Sequence, residues 1–270
     1  MLEQTIPNHP QQWATDLVDF IRQTFQAAHK TQAVIAVSGG IDSAVSLQLL
    51  VSALGRESVV GVLLPYKDQD MSDGQLILNH VGIPQHQHIT LQIEPIVSAA
   101  ARKLTLDFEG SLSEIERVRL GNIMARSRMM LVYDLARQHN ALVCGTENKS
   151  EHYLGYFTRF GDAASDLEPL TNLYKTQVRS LAQYLELPAI FWQKAPSAGL
   201  WAGQTDEVEL GFSYQQADIV LHQLIDLHQA PADIPTITGI EQSVVTAVLN
   251  QVKASAFKLV VPYIPEETTS

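Results

Sequence analysis

The sequence predicts an α/β protein, a doubly wound, mostly parallel sheet with helices on both faces and a helical C-terminal part. Three observations carry this. Short apolar runs alternate with stretches of helical periodicity through the N-terminal half. One such run, Ala33-Val34-Ile35-Ala36, leads into Val37-Ser38-Gly39-Gly40-Ile41-Asp42-Ser43-Ala44, which reads as a strand, a glycine turn and a helix start in one short stretch. The chain has 270 residues, 46% of them hydrophobic, enough for one large domain with a substantial core or a domain plus a helical appendage.

The elements follow in order. Pro10 suits the first position of a helix. Trp13, Leu17, Phe20, Ile21, Phe25 and Ala28 then recur at helical spacing, so residues 10–29 are a predicted amphipathic helix. Strand 33–37 follows. The next helix opens near Ser43, buries Ala44, Leu47, Leu50, Val51 and Leu54, and ends at Gly55. Residues 59–64 form a buried strand closed by Pro65, and 72–81 a helix stopped by Gly82-Ile83-Pro84. His88-Ile89-Thr90-Leu91 is a weaker third strand, and 93–103 another helix. Residues 104–115 break the pattern and read as a connector. A long helix runs from about Glu116 to His139, then a fourth strand over 141–145 and a helix over 146–154. A glycine- and aspartate-rich loop covers 155–169, and 173–185 is helical until Leu187-Pro188. Residues 194–212 read as irregular, and helices over 213–227 and 238–255 precede a proline-containing tail. Residues 1–270 are expected to form a single domain.

Bulk properties narrow the function. No apolar run approaches the ~20 residues that span a bilayer, and Met1-Leu2-Glu3-Gln4 lacks the pattern of a secretory signal. A single cysteine, Cys144, rules out an intramolecular disulfide and any Cys-x-x-Cys site. A cytoplasmic location is the expectation. A net charge of −11 argues against a generic nucleic-acid surface, so an anionic ligand must be met by local donors and metal.

The turn at 37–44 is an oxyanion cradle. Gly39 and Gly40 let backbone N–H groups approach a phosphate. The following helix points its free N–H groups and positive dipole end at the same place, and Ser38 and Ser43 add hydroxyl donors. Asp42 would repel a phosphate unless a cation lay between them, so the stretch predicts Mg²⁺ as well as polyphosphate. The loop after strand 141–145 is a second carboxyl end, reading Gly145-Thr146-Glu147-Asn148-Lys149-Ser150-Glu151. From there Glu151 can bring a second oxygen ligand to the metal at Asp42, with Thr146 donating to the nucleotide.

The Ser-Gly-Gly-x-Asp-Ser order of residues 38–43 resembles the pyrophosphate loop of the N-type ATP pyrophosphatases, which split ATP between its α and β phosphates. Several further motifs, in order, resemble the ammonia-dependent NAD⁺ synthetases of that superfamily: Gly121-Asn122-Ile123-Met124-Ala125-Arg126-Ser127-Arg128, Gly155-Tyr156-Phe157-Thr158-Arg159-Phe160-Gly161-Asp162, Leu173-Tyr174-Lys175-Thr176-Gln177-Val178 and Ala195-Pro196-Ser197-Ala198. The resemblance implies an adenine nucleotide alpha hydrolase-like fold and the amidation of deamido-NAD⁺ by ammonia, with ATP as co-substrate, an adenylated intermediate, and release of AMP and pyrophosphate. It implies that Ser38, Gly39, Gly40, Asp42, Ser43, Thr146, Lys175 and Ser197 contact ATP. Asp42 and Glu151 would ligate Mg²⁺; Arg126, Arg159, Asp166 and, weakly, Lys258 would hold deamido-NAD⁺; Asp162 would serve the ammonia pocket. A homodimer is implied too, with the long apolar helix as a candidate interface. No segment of ordinary domain size remains for a fused glutaminase, so ammonia, free or supplied by a separate chain, is the expected donor.

The chain departs from the family pattern at Ala163-Ala164 in place of two glycines, at Arg159 in place of a lysine, at Gly199 in place of an aspartate, and at Phe257-Lys258 in place of His-Lys. If either replaced glycine needs positive φ, alanine there is strained. Two other readings stand beside the synthetase: another adenylating ATP pyrophosphatase, and a nucleotide-binding paralogue without synthetase activity. His152 is a candidate base without supporting zinc-site spacing, and Trp13, Trp192 and Trp201 read as core or interface.

Overall fold

Four of the apolar runs pair as parallel strands. The computed structural model describes residues 6–106, 112–194 and 206–265. Its sheet comprises β1 (Ala33–Ala36), β2 (Val59–Leu63), β3 (His88–Thr90) and β4 (Leu142–Cys144), in the order β3-β2-β1-β4. Ala33 lies opposite Val59 on one side and Leu142 on the other, so β1 is central.

Strand side chains point to alternate faces, and each face has its own helical cover. Ala33, Ile35, Val59, Leu63 and Cys144 pack on one face with α1 (Pro10–Ala27), α2 (Ile41–Leu54), α3 (Ser72–His80), α7 (Lys175–Tyr184) and α8 (Ala189–Gln193). Val34, Val60, Val62 and Val143 face α4 (Glu94–Lys103) and α5 (Glu114–His139). A third cluster joins α6 (Lys149–Leu154), α10 (Tyr214–Leu221), α11 (Ile234–Thr238) and α12 (Gln242–Ser255) around Leu154, Tyr214, Val220 and Val245.

The chain runs outward from β1 through β2 to β3, returns across the opposite face through α4 and α5, and adds β4 on the far side of β1. Strand order therefore reverses between β1 and β4. In open α/β sheets, ligands bind in the crevice outside the carboxyl ends of the strands at such a reversal.

Several boundaries differ from expectation. The long helix starts at Glu114 because Ser113 caps it: its hydroxyl accepts the Glu116 N–H while the Glu116 carboxylate accepts the Ser113 N–H. The helix after β4 starts at Lys149, not Thr146, because Asn148 is its cap. The 213–227 helix ends as α at Leu221 and continues as a π-helical turn over His222–Asp226. The 238–255 helix starts at Gln242 as α12, because Gly239 (φ +74°) ends a separate short helix, α11, just before it. Within 194–212, residues Asp206–Leu210 form a short helix, α9. Ser197, Gly199 and Trp201 lie outside the described residues.

Candidate active site

The first wall of the crevice is the turn between Ala36 and Ile41. Gly39 has φ +82°, and a Cβ there would lie 2.8 Å from Asp73 Cβ and 2.9 Å from the Gly74 nitrogen, so no side chain fits. Gly40 is the N-cap of α2, and the Ala44 N–H is bonded to its carbonyl at 3.1 Å. The preceding N–H groups of the first turn are those a helix leaves without partners. Ser38 Oγ and Ser43 Oγ stand 3.1 Å apart, with Ser38 Oγ accepting the Gly40 N–H and the Ser43 hydroxyl donating to the Gly40 carbonyl. The predicted donors thus cluster around one helix start, which begins at Ile41, two residues before the expected position.

The second wall is the turn and helix after β4. Asn148 is fully buried; its Oδ1 accepts the Glu151 N–H at 3.1 Å, and its Nδ2 donates to Asp42 Oδ1 at 2.9 Å. One amide therefore caps α6 and fixes it against α2. The third wall is the first turn of α7. Lys175 Nζ donates to Asp42 Oδ2 at 2.6 Å and to Glu151 Oε1 at 2.8 Å, with 3% of its side chain exposed. Asp42, Glu151 and Lys175, far apart in sequence, meet at one point.

Charge explains what that point can hold. Burial alone would depress the Lys175 pKa, but Asp42 and Glu151 beside it hold it above the ordinary lysine range. One ammonium balances one carboxylate. Burial pushes Glu151 up to about 8; Lys175 opposes this, and the Asp42 charge adds to it. Two carboxylate oxygens converging on one cationic position, short of one positive charge, fit a divalent cation that takes oxygen ligands and shares them with a phosphate. Among the described residues, Asp42 and Glu151 are the pair that would hold Mg²⁺ at this point.

Of the remaining predicted residues, Arg159, Asp162 and Asp166 lie on the 155–169 loop, Arg126 on α5, Lys258 after α12 and Thr146 before α6. Arg126, exposed on α5, donates from Nη2 to the Arg159 carbonyl at 3.2 Å. Arg159 Nη1 donates to the Phe257 carbonyl at 3.4 Å, and Lys258 Nζ to the Gly155 and Phe157 carbonyls at 2.6 and 2.8 Å. Arg159 and Lys258 share a cavity of about 240 Å³ with Glu147, His152, Phe157 and Ala164. Asp162 accepts the Thr158 N–H at 2.8 Å, and Asp166 the Val143 N–H at 2.7 Å, which anchors the loop to β4. Thr146 lies in the turn before α6 rather than in the helix. Neither Ala163 nor Ala164 has positive φ, so the alanine pair carries no left-handed strain; Phe160 (φ +61°) takes that conformation instead.

Sequence reasoning missed other parts. Asn148 was legible as a cap, an Asn three residues before an acid at a helix start. Glu168 was not: its carboxylate accepts the Ser165 hydroxyl at 2.7 Å and the Glu147 N–H at 2.9 Å, and fills the space beside Gly145, where a Cβ would lie 1.8 Å from it. Burial, with Glu147 adding, raises its pKa to about 8. Arg128, part of the Gly121–Arg128 motif, turns inward; its Nε donates to the Leu64 carbonyl at 3.0 Å, and burial lowers its pKa to about 10. His152 is held by Glu147 through Nδ1 at 2.8 Å. Cys144 is buried, as expected of an inert thiol, and burial raises its pKa.

Known proteins share this arrangement of sequence and fold. The family model described as NAD synthase matches residues 13–262. A protein from Thermococcus sibiricus named NH(3)-dependent NAD(+) synthetase is 40% identical over 253 residues, which is 93% of this chain and 96% of that protein. Among solved structures, an NMN synthetase from Francisella tularensis superposes with a TM-score of 0.79 at 32% identity, covering 96% of this chain and 100% of the other. An NH3-dependent NAD synthetase from Campylobacter jejuni, in complex with the nitrate ion, gives 0.77 at 30% identity with the same coverage.

Proposed function

The chain belongs to the NAD synthase family, and from that membership we propose that it amidates deamido-NAD⁺ with ammonia, using ATP and releasing AMP and pyrophosphate. The observation that carries this reading is the convergence of Asp42 and Glu151 on Lys175 at the helix start that follows β1.

A carboxylate resists a nucleophile because attack would add charge to an anion. Attack by the substrate carboxylate on the α-phosphorus of ATP forms a C–O–P bond and breaks the α–β bridge. The acyl group becomes an electrophile, and pyrophosphate departs. Ammonia then adds to the carbonyl, AMP leaves with the C–O bonding pair, and the nitrogen loses one proton. The turn at 38–43 supplies backbone N–H groups and hydroxyls for the departing pyrophosphate. Lys175 adds a fixed cation at the same end. Mg²⁺, held by Asp42 and Glu151, would supply the remaining charge neutralisation. Arg126, Arg159, Asp166 and Lys258 bind the dinucleotide beside this centre, and Asp162 holds ammonium and accepts its proton. Thr146 and Ser197 complete the ATP contacts.

The protein acts in the cytoplasm as a homodimer and takes ammonia as its nitrogen donor. No helix among the described residues is long and apolar enough to cross a membrane. A second reading rests on the likeness to the F. tularensis NMN synthetase, a name that denotes a mononucleotide product. The same carboxylate chemistry would then act on nicotinate mononucleotide.

A substrate panel with mass-spectrometric detection separates these readings. Deamido-NAD⁺, Mg·ATP and ammonium should give NAD⁺ and AMP in equal amounts. Higher kcat/KM with the mononucleotide would favour the second reading. Mg·ATP binding without turnover on either substrate would make the chain a nucleotide-binding paralogue instead.

A further inference from the structure

Asp218 lies on α10, outside the phosphate turn and outside both loops beside β4, and is completely shielded from solvent. Its carboxylate serves two other helices. One oxygen accepts the Ser150 hydroxyl; the other accepts the Thr176 N–H at 2.8 Å. Ser150 Oγ in turn accepts the Lys175 N–H at 2.8 Å. Ser150 precedes Glu151, and Thr176 follows Lys175. A single buried carboxylate therefore bonds the first turns of α6 and α7, the two helices whose side chains must meet Asp42. N–H groups at a helix start lack intrahelical partners and sit at the positive end of the helix dipole, so an anion there is favoured. Burying a carboxylate is costly; these bonds offset part of that cost and tie the two helices together.

We propose that Asp218 is a positioning residue for the Mg·ATP site, acting through Ser150 to set Glu151 against Lys175. The inference rests on reading this crevice as the nucleotide site. Asp218 touches neither substrate nor reacting atoms. Its effect is on the spacing of the groups that do.

The test is calorimetric titration of Mg·ATP into the full chain without deamido-NAD⁺, below every melting transition. Ser150→Ala deletes the relay. Asp218→Asn keeps the shape and removes the charge. Val97→Ala, a truncation in the core under α4, controls for lost stability alone. Ser150→Ala and Asp218→Asn should each weaken Mg·ATP about tenfold (about 1.4 kcal/mol) and raise KM for ATP, with KM for deamido-NAD⁺ unchanged. Val97→Ala should bind as the parent does. Should Asp218→Asn fail to fold, Ser150→Ala decides. Parent-like binding by the folded variants, or equal weakening in Val97→Ala, overturns the inference. A parent that does not bind Mg·ATP overturns the reading of the site itself, and this inference with it.

Discussion

Lys175 is the residue on which the site's charge turns. It is the cation between two largely buried carboxylates, and removing one partner of such a group strands the others. Lys175→Met should lose about 3 kcal/mol of stability. Added Mg²⁺ should raise the melting temperature of that variant more than that of the parent, because the metal supplies the missing charge. Thermal melts with and without Mg²⁺ measure both effects. Glu168 gives a pH dependence of defined sign. Its carboxyl ionises near 4.5 ordinarily and near 8 in the fold. Between those values the folded chain keeps a proton that the unfolded chain has released, so stability falls as pH rises. The contribution is complete below the lower value and lost above the upper one. Glu168→Gln should therefore gain on the parent, by an order of a few kcal/mol, as melts are taken from about pH 5 to about pH 9.

At the scale of elements, α6 is short and depends on its neighbours. Gly155 closes it with φ +62°, and a Cβ there would lie 2.1 Å from Ser255 Cβ on α12. Gln251 and Ser255 of α12 also donate to the Leu154 carbonyl at 2.8 and 2.9 Å. Gly155→Ala should cost about 2–4 kcal/mol, and KM for ATP should rise because α6 carries Glu151. Denaturant melts and steady-state kinetics check the two halves. Much of this level was legible in sequence. The strands were short apolar runs, and the turn at 38–43 declared its chemistry through residue types that few other settings demand. Cap-defined boundaries were less visible. Ser113 and Asn148 moved helix starts by two or three residues, since side-chain hydrogen bonds, not apolar period, set those ends. Asp218 and Glu168 were illegible for a stronger reason. An isolated acid in an ordinary helix or loop carries no signal until tertiary packing brings distant N–H groups to it.

Over the whole molecule, the reversal of strand order between β1 and β4 lets segments far apart in the chain share one crevice. Ile115 and Val118 stand exposed on α5, at 75% and 53%, one above the other on the helix. Apolar groups so placed fit a contact between copies of the chain. Sedimentation should show a dimer for the parent and a shift toward monomer for Val118→Glu, with the melting curve little changed. The Mg·ATP clamp is open to a crystal structure with Mg²⁺ and a non-hydrolysable ATP analogue. The expected result is one metal about 2.1 Å from a carboxylate oxygen of Asp42 and of Glu151, the triphosphate on the turn 38–43, and Lys175 Nζ moved from between the acids onto a phosphate. A nucleotide seated elsewhere, or Lys175 still bridging the two acids with the metal bound apart from them, would contradict it.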